Sequence, residues 1–203
     1  MPTEATIYVI DDDDAVRQSL EFLLKAAGIP VRGFESAQAF LDVLSTVEHG
    51  CIVTDVRMPE ITGIDLLKKV KQVRPELPVI VITGHGDISL AVDAMKIGAV
   101  DFLEKPFDDD HLLAAVKSAL DREADLARRK AEVGEVQEKL AALSNRERQV
   151  LEGLVAGNAN KTIAFDLGIS PRTVEIYRAK VMTKMEAASF ADLIRTVVAG
   201  RAG

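Results

Sequence analysis

The sequence predicts an α/β domain with a doubly wound, five-stranded parallel sheet, then a helical linker, then an all-α domain of four helices. Three observations carry this expectation. Short β-rich runs alternate with longer amphipathic runs up to residue 122, with period two giving way to period 3.6 each time. Beyond Ser144 the β-like runs cease and only helical patterns remain. The charge also changes sign: residues 1–120 hold 11 basic and 20 acidic side chains, whereas residues 144–203 hold 9 and 6, within a total of −7.

Taken in order, "TIYVI" (6–10) is a buried strand and "DAVRQSLEFLLKAAG" (14–28) an amphipathic helix. They are followed by strand "PVRGF" (30–34), helix "SAQAFLDVLSTV" (36–47) and strand "CIVTD" (51–55). The alternation continues through helix "GIDLLKKVKQVRP", strand "PVIVIT", helix "DISLAVDAMKIG", strand "VDFLEK" and helix "DDDHLLAAVKSALDR". Strands linked through helices pair in parallel, which places helices on both faces of the sheet. Boundaries follow at 1–122 for this domain, 123–142 for the linker and 143–203 for the last domain.

The stretch 121–143 is charged and rich in helix formers, with Leu126, Val133, Val136, Leu140 and Leu143 spaced as a narrow stripe. Gly134 costs such a helix about 1 kcal/mol relative to Ala and is the expected hinge. A solvated spacer and a pairing helix both fit this pattern. In the last domain, Ser144 and Glu147 form a capping-box pattern, and Ser170–Pro171 supply an N-cap followed by an N1 proline.

No apolar stretch reaches the roughly 18 residues of a membrane span, and "MPTEATIYVI" lacks a basic leader, so a cytoplasmic location is expected. Cys51 is the single cysteine and lies among apolar residues, which points to a small core side chain.

Chemistry is expected where the strands end, because open α/β sheets bind ligands beyond the carboxyl ends of their strands. Strand one delivers Asp11 and Asp12, strand three Asp55, strand four Thr83, and strand five is followed by Lys105 and Pro106. Two unit charges about 4 Å apart repel by about 4 kcal/mol at an effective dielectric of about 20, so converging carboxylates need a cation, solvent or protons. Oxygen ligands of this kind suit Mg²⁺, with Lys105 as a second, fixed positive charge. A carboxylate flanked by both is suited to attack a phosphoryl group, and Thr83 to hydrogen-bond the resulting phosphate. Asp13 and Asp14 stand where a helix begins and are expected to cap it. The "KP" pair reads as a turn, with a cis proline possible.

These motifs, "IDDDD", "TDVRMPEITG", "VIVITGHGD" and "AMKIGAVDFLEKPF", resemble a response-regulator receiver domain of the flavodoxin-like, CheY-like fold. The resemblance implies that Asp55 is the phosphorylated aspartate. It assigns Mg²⁺ to Asp12, Asp55 and the backbone carbonyl of Arg57, with Asp11 acting mainly through water. Lys105 becomes the phosphate-binding lysine, and Thr83 and Phe102 the switch pair. Phe102 stands where the family often has tyrosine, which leaves apolar burial and no hydroxyl.

"NKTIAFDLGISPRTVEIYRAKVMTKM" has helix-turn-helix spacing, with Gly168 in the turn, and its second helix carries four basic residues against Glu175. On charge alone a solvated basic face of a small bundle is an equal reading. The segments "LSNRERQVLEGLVAG", "LGISPRTVE" and "VMTKM" resemble the LuxR-type DNA-binding domain. That resemblance implies that Glu175, Ile176 and Ala179 face bases, with Arg172, Arg178, Lys180 and Lys184 on phosphates and Thr173 also among the DNA-binding residues. A glutamate there can accept from a cytosine amino group.

Together the two resemblances imply a two-component transcription regulator similar to those of nitrogen fixation. It would take a phosphoryl group from an oxygen-sensing histidine kinase and dimerise through the face around residues 88–120. It would then bind promoter DNA and act with RNA polymerase as an activator, without being a turnover enzyme. Two rival readings start from the same residues. A Mg²⁺-dependent phosphatase with an aspartate nucleophile needs an acid two residues after that nucleophile, where this chain has Arg57. An RNA-binding receiver protein would want aromatic stacking residues, which the helix-turn-helix does not supply.

Overall fold

In the computed structural model, described for residues 5–84 and 88–201, the first strand, β1 (Thr6–Ile10), runs into helix α1 (Asp14–Ala26). Asp13 caps that helix by accepting from the amides of Ala15 at 2.8 Å and Val16 at 3.2 Å. Next come β2 (Val31–Phe34), α2 (Ala37–Leu41), β3 (Gly50–Asp55), α3 (Gly63–Val73), β4 (Val79–Thr83), α4 (Ile88–Ile97) and β5 (Asp101–Glu104). The expected helix at 36–47 is shorter than its pattern: after α2 the chain tightens into a 3₁₀ turn, Leu44–Thr46. There the Thr46 hydroxyl donates to the Val43 carbonyl, a local bond that competes with helix continuation.

All strand pairs are parallel, in the order β2-β1-β3-β4-β5. Strands β3 and β4 are buried at every position, as the centre of a sheet covered on both faces requires. Alternate residues feed two cores. Ile52 and Val81 pack with Phe40, Leu66 and Ala94 beneath α2, α3 and α4, whereas Val53 and Ile82 pack with Leu24, Leu112 and Val116 beneath α1 and α5. Cys51 is fully buried in the second core, and burial pushes its thiol pKa up, so it is an inert packing group.

Helix α5 runs unbroken from Asp109 to Ala141, and the chain divides into two compact units within it, at Leu126 and Ala127. The expected linker, 123–142, is helical as far as Ala141. Glu123, at its start, is buried in the first unit and meets the His49 imidazole at 2.9 Å. Val136 and Leu140, near its end, pack into the core of the second unit. Gly134, the expected hinge, lies inside the regular helix.

The second unit adds α6 (Asn145–Val155), α7 (Asn160–Leu167), α8 (Pro171–Lys184) and α9 (Phe190–Arg201). Its capping box is complete, with the Ser144 hydroxyl on the Glu147 amide and the Glu147 carboxylate on the Ser144 amide at 2.7 Å. Gly168 ends α7 at φ 63°, a left-handed position that glycine adopts without steric cost. Among the described residues, no helix is long and apolar enough to cross a membrane.

Candidate functional site

Three strand ends and one loop meet at the carboxyl edge of the sheet. Asp55 closes β3 and is 8% exposed; Asp11 follows β1 and is 2% exposed. The Lys105 ammonium donates to Asp55 Oδ1 at 2.6 Å and to Asp11 Oδ2 at 3.3 Å, joining two carboxylates that are distant in sequence. The backbone holds both acids in place: the Arg57 amide donates to Asp55 Oδ2 at 2.6 Å, and the Asp13 amide to Asp11 Oδ1 at 2.9 Å. Lys105 is itself registered by its own amide, which donates to the Thr83 carbonyl at 2.8 Å, and the Lys105–Pro106 peptide is cis.

The electrostatics follow from burial and pairing. Burial, reinforced by the nearby Asp55 charge, holds the Asp11 carboxyl above its usual range, although the Asp13 amide and Lys105 pull the other way. Burial also works against the Lys105 ammonium, but its hydrogen bond to Asp55 and the charges of Asp55 and Asp11 outweigh that, and its pKa is raised. The lysine is therefore a permanent cation between two acids.

Of the three carboxylates expected to converge, the fold brings two together under Lys105. Asp12 stands exposed beside them. Among the described residues, no three carboxylate, imidazole or thiol side chains form a preassembled metal cage. The donor set still fits Mg²⁺, because Asp11, Asp12, Asp55 and the Arg57 carbonyl supply only hard oxygens, the ligands this ion prefers. The buried Asp11, whose ionised form is disfavoured by desolvation, is the group that a bound cation would most relieve.

Thr83 ends β4, fully buried, with its hydroxyl 3.4 Å from the Gly84 carbonyl. Phe102 lies one strand over on β5, half-buried against the core beneath α3 and α4. Part of the "VITGHGD" motif, residues 85–87, lies outside the described residues. Asp13 and Asp14 turn out to serve α1, as cap and as first-turn partner of Arg17. Sequence reasoning missed Arg17, whose guanidinium also donates to the Asp11 carbonyl at 2.6 Å; its spacing three residues after Asp14 was the available signal.

In the second unit, α7, the Gly168 turn and α8 form the helix-turn-helix. On α8, Val174 and Val181 are buried, while Arg172, Glu175, Ile176, Ala179 and Lys180 share the exposed face at helical spacing. Ile176 is 52% exposed on that face. Thr173 is tied into the helix start, its hydroxyl 2.8 Å from that of Ser170. Arg178 stacks on the Phe190 ring, 4.8 Å from the centroid.

Lys184 donates its ammonium to Glu147 at 2.7 Å and to the Ala142 carbonyl at 3.2 Å, joining the far end of α8 to the start of α6, while its side chain remains 41% exposed. That hydrogen bond, together with the Ser144 amide, holds the Glu147 carboxyl down to about 2.

Residues 7–117 match the response regulator receiver domain family, and residues 141–197 match the luxR family of bacterial regulatory proteins. Fold and matches together define the class: a response regulator that controls transcription through a receiver and a DNA-binding domain. The chain is 59% identical over 195 residues to the transcriptional regulatory protein FixJ of Azorhizobium caulinodans, covering 96% of this chain and 92% of that one. To FixJ of Bradyrhizobium diazoefficiens it is 54% identical over 203 residues, covering 100% and 98%. Among solved structures, full-length FixJ from B. japonicum covers 99% of each chain at 52% identity and a TM-score of 0.62. The response regulator StyR covers 96% of this chain and 98% of its own at 38% identity and a TM-score of 0.88. The chain belongs to the FixJ-like two-component response regulators.

Proposed function

We propose that the chain receives a phosphoryl group on Asp55 from a FixL-like sensor histidine kinase and responds by dimerising and binding promoter DNA. The observation that carries this reading is the buried Asp55 carboxylate at a strand end, 2.6 Å from the fixed Lys105 ammonium. An Asp55 oxygen attacks phosphorus, the bond to the kinase imidazole nitrogen breaks, and its electron pair leaves with the imidazole. Bound Mg²⁺, held by Asp12, Asp55 and the Arg57 carbonyl with Asp11 reaching it through water, would supply positive charge for the phosphoryl oxygens. Lys105 neutralises further charge, and the Thr83 hydroxyl donates to the new phosphate. The same groups promote the later hydrolysis, so the chain cycles its own modification without turning over a separate substrate.

When Thr83 moves toward the phosphate, Phe102 follows into the space it leaves, and the face around residues 88–120 becomes competent to pair with a second copy. Two DNA-binding units are then presented together. Arg172, Arg178 and Lys180 contact phosphates, whereas Glu175, Ile176 and Ala179 face bases and Thr173 stabilises the start of the helix. Contacts with RNA polymerase then lead to activation, and the resemblance to FixJ points to nitrogen-fixation or oxygen-regulated genes, in the cytoplasm.

The test is acyl-phosphate formation with a small phosphodonor and Mg²⁺. Asp55→Asn is expected to abolish the label, and full labelling of that variant would remove Asp55 from the role. Steady turnover of an unrelated phosphate ester by the wild-type chain would favour the phosphatase reading instead.

A further inference from the structure

We propose that Phe190 is a positioning residue that holds the Arg178 guanidinium at a cationic cavity, and that this cavity, with Lys161 as its second charge, binds a phosphodiester of the DNA backbone. The inference rests on the DNA-binding reading above and extends it to residues outside the recognition helix α8.

The cavity, about 470 Å³, lies where α7 begins and is lined by Asn158, Asn160, Lys161, Arg178 and Phe190 among others. No carboxylate lines it. Among the described residues, neither Lys161 nor Arg178 forms an ion pair, in contrast to Lys139 and Lys184 of the same unit, which are both paired with glutamates. Two like charges sharing one concavity repel each other, and an anion between them turns that repulsion into attraction. Asn158 and Asn160 also line the cavity, and their side-chain amides carry N–H donors of the kind a phosphate oxygen accepts.

The Phe190 ring supplies the remaining element. It opens α9 and lies 4.8 Å from the Arg178 guanidinium carbon, within the range of cation–π attraction. A guanidinium stacked on a ring loses less rotamer freedom on binding than a free one and keeps its in-plane N–H edge available for an oxyanion. Arg178 is followed on α8 by the exposed Ala179 and Lys180, so an anion held in the cavity sits beside the face that carries Glu175 and Ile176. A repeating polyanion lying along that face supplies such an anion.

The experiment is a titration of the full chain, with phosphodonor present, against a promoter duplex and an unrelated duplex of equal length over a range of salt. Lys161→Ala is expected to weaken binding equally on both duplexes and to flatten the log-log salt dependence by about 0.9, the loss of one phosphate contact. Phe190→Leu is expected to reproduce the loss seen with Arg178→Ala, Phe190→Tyr to retain wild-type binding, and Phe190→Leu/Arg178→Ala to be no weaker than Arg178→Ala alone. Thermal unfolding of each variant identifies any that fail to fold, and Phe190→Tyr keeps the test decisive if Phe190→Leu is among them. Wild-type slope and affinity in Lys161→Ala and Phe190→Leu, or additive losses in the double variant, would overturn the proposal while leaving DNA binding intact. A wild-type chain that ignores duplex DNA would overturn both readings.

Discussion

Asp11 shows how the function sets terms for individual residues. It is 2% exposed and its carboxyl is held above the usual range mainly by burial, so the folded state keeps its proton to a higher pH than the unfolded chain does. The sign follows: as pH rises above the ordinary carboxylate range, ionisation of Asp11 costs the folded state stability. Asp11→Asn is therefore expected to raise the thermal midpoint of the first unit at pH 7 in the absence of Mg²⁺, while slowing phosphorylation by a small phosphodonor. A lowered midpoint would show that the Lys105 contact outweighs desolvation. Stability given up at a reactive site is a common exchange. Lys105 works in the opposite direction, since its two acids keep it charged across the physiological range.

Whole elements are held by contacts that single residues make at their ends. Helix α3 starts against the strand that carries Asp55: the Gly63 amide donates to the Val56 carbonyl at 3.0 Å, and a Cβ at Gly63 would run into the Asp55 carbonyl. Gly63→Ala is expected to cost about 1–3 kcal/mol, the usual range for overpacking, and to slow phosphorylation by displacing the Asp55 backbone. Denaturant unfolding alongside phosphodonor labelling checks both effects. In the second unit, Glu147 joins the start of α6 to the end of α8 through Lys184. Its carboxyl falls from an ordinary 4.5 to about 2 in the folded state. The stability it contributes is complete above the ordinary value and is lost as pH falls through that interval. Glu147→Gln should flatten the acid unfolding profile of this unit between those pH values, and an unchanged profile would contradict the role of the Lys184 contact. Element identities were legible because periodicity and caps are local: Ser144, Ser170 and Asp13 cap the helices that their patterns announced. The end of α2 was less legible, since a short apolar pattern does not reveal when a threonine hydroxyl will take a backbone carbonyl.

For the whole molecule, the proposal requires phosphorylation to shift an equilibrium. Moving from about 1:99 to 99:1 takes about 5.5 kcal/mol of differential stabilisation, which the phosphate, new dimer contacts and DNA must supply together. Sedimentation with and without phosphodonor is expected to show monomers becoming dimers, with promoter affinity rising in step; dimers of equal strength in both conditions would contradict the coupling. The sequence by itself determined the alternating α/β order, the all-helical end, and which acids, hydroxyl and lysine stand at the strand ends, because period, length and capping are encoded within a few residues of each position. Tertiary structure alone decided that Lys105 bridges Asp11 and Asp55 while Asp12 stays exposed, that α5 continues through the expected linker, and that Lys184 closes a bundle. Those outcomes depend on which side chains can reach one another once distant elements have packed, and local pattern carries no record of that distance.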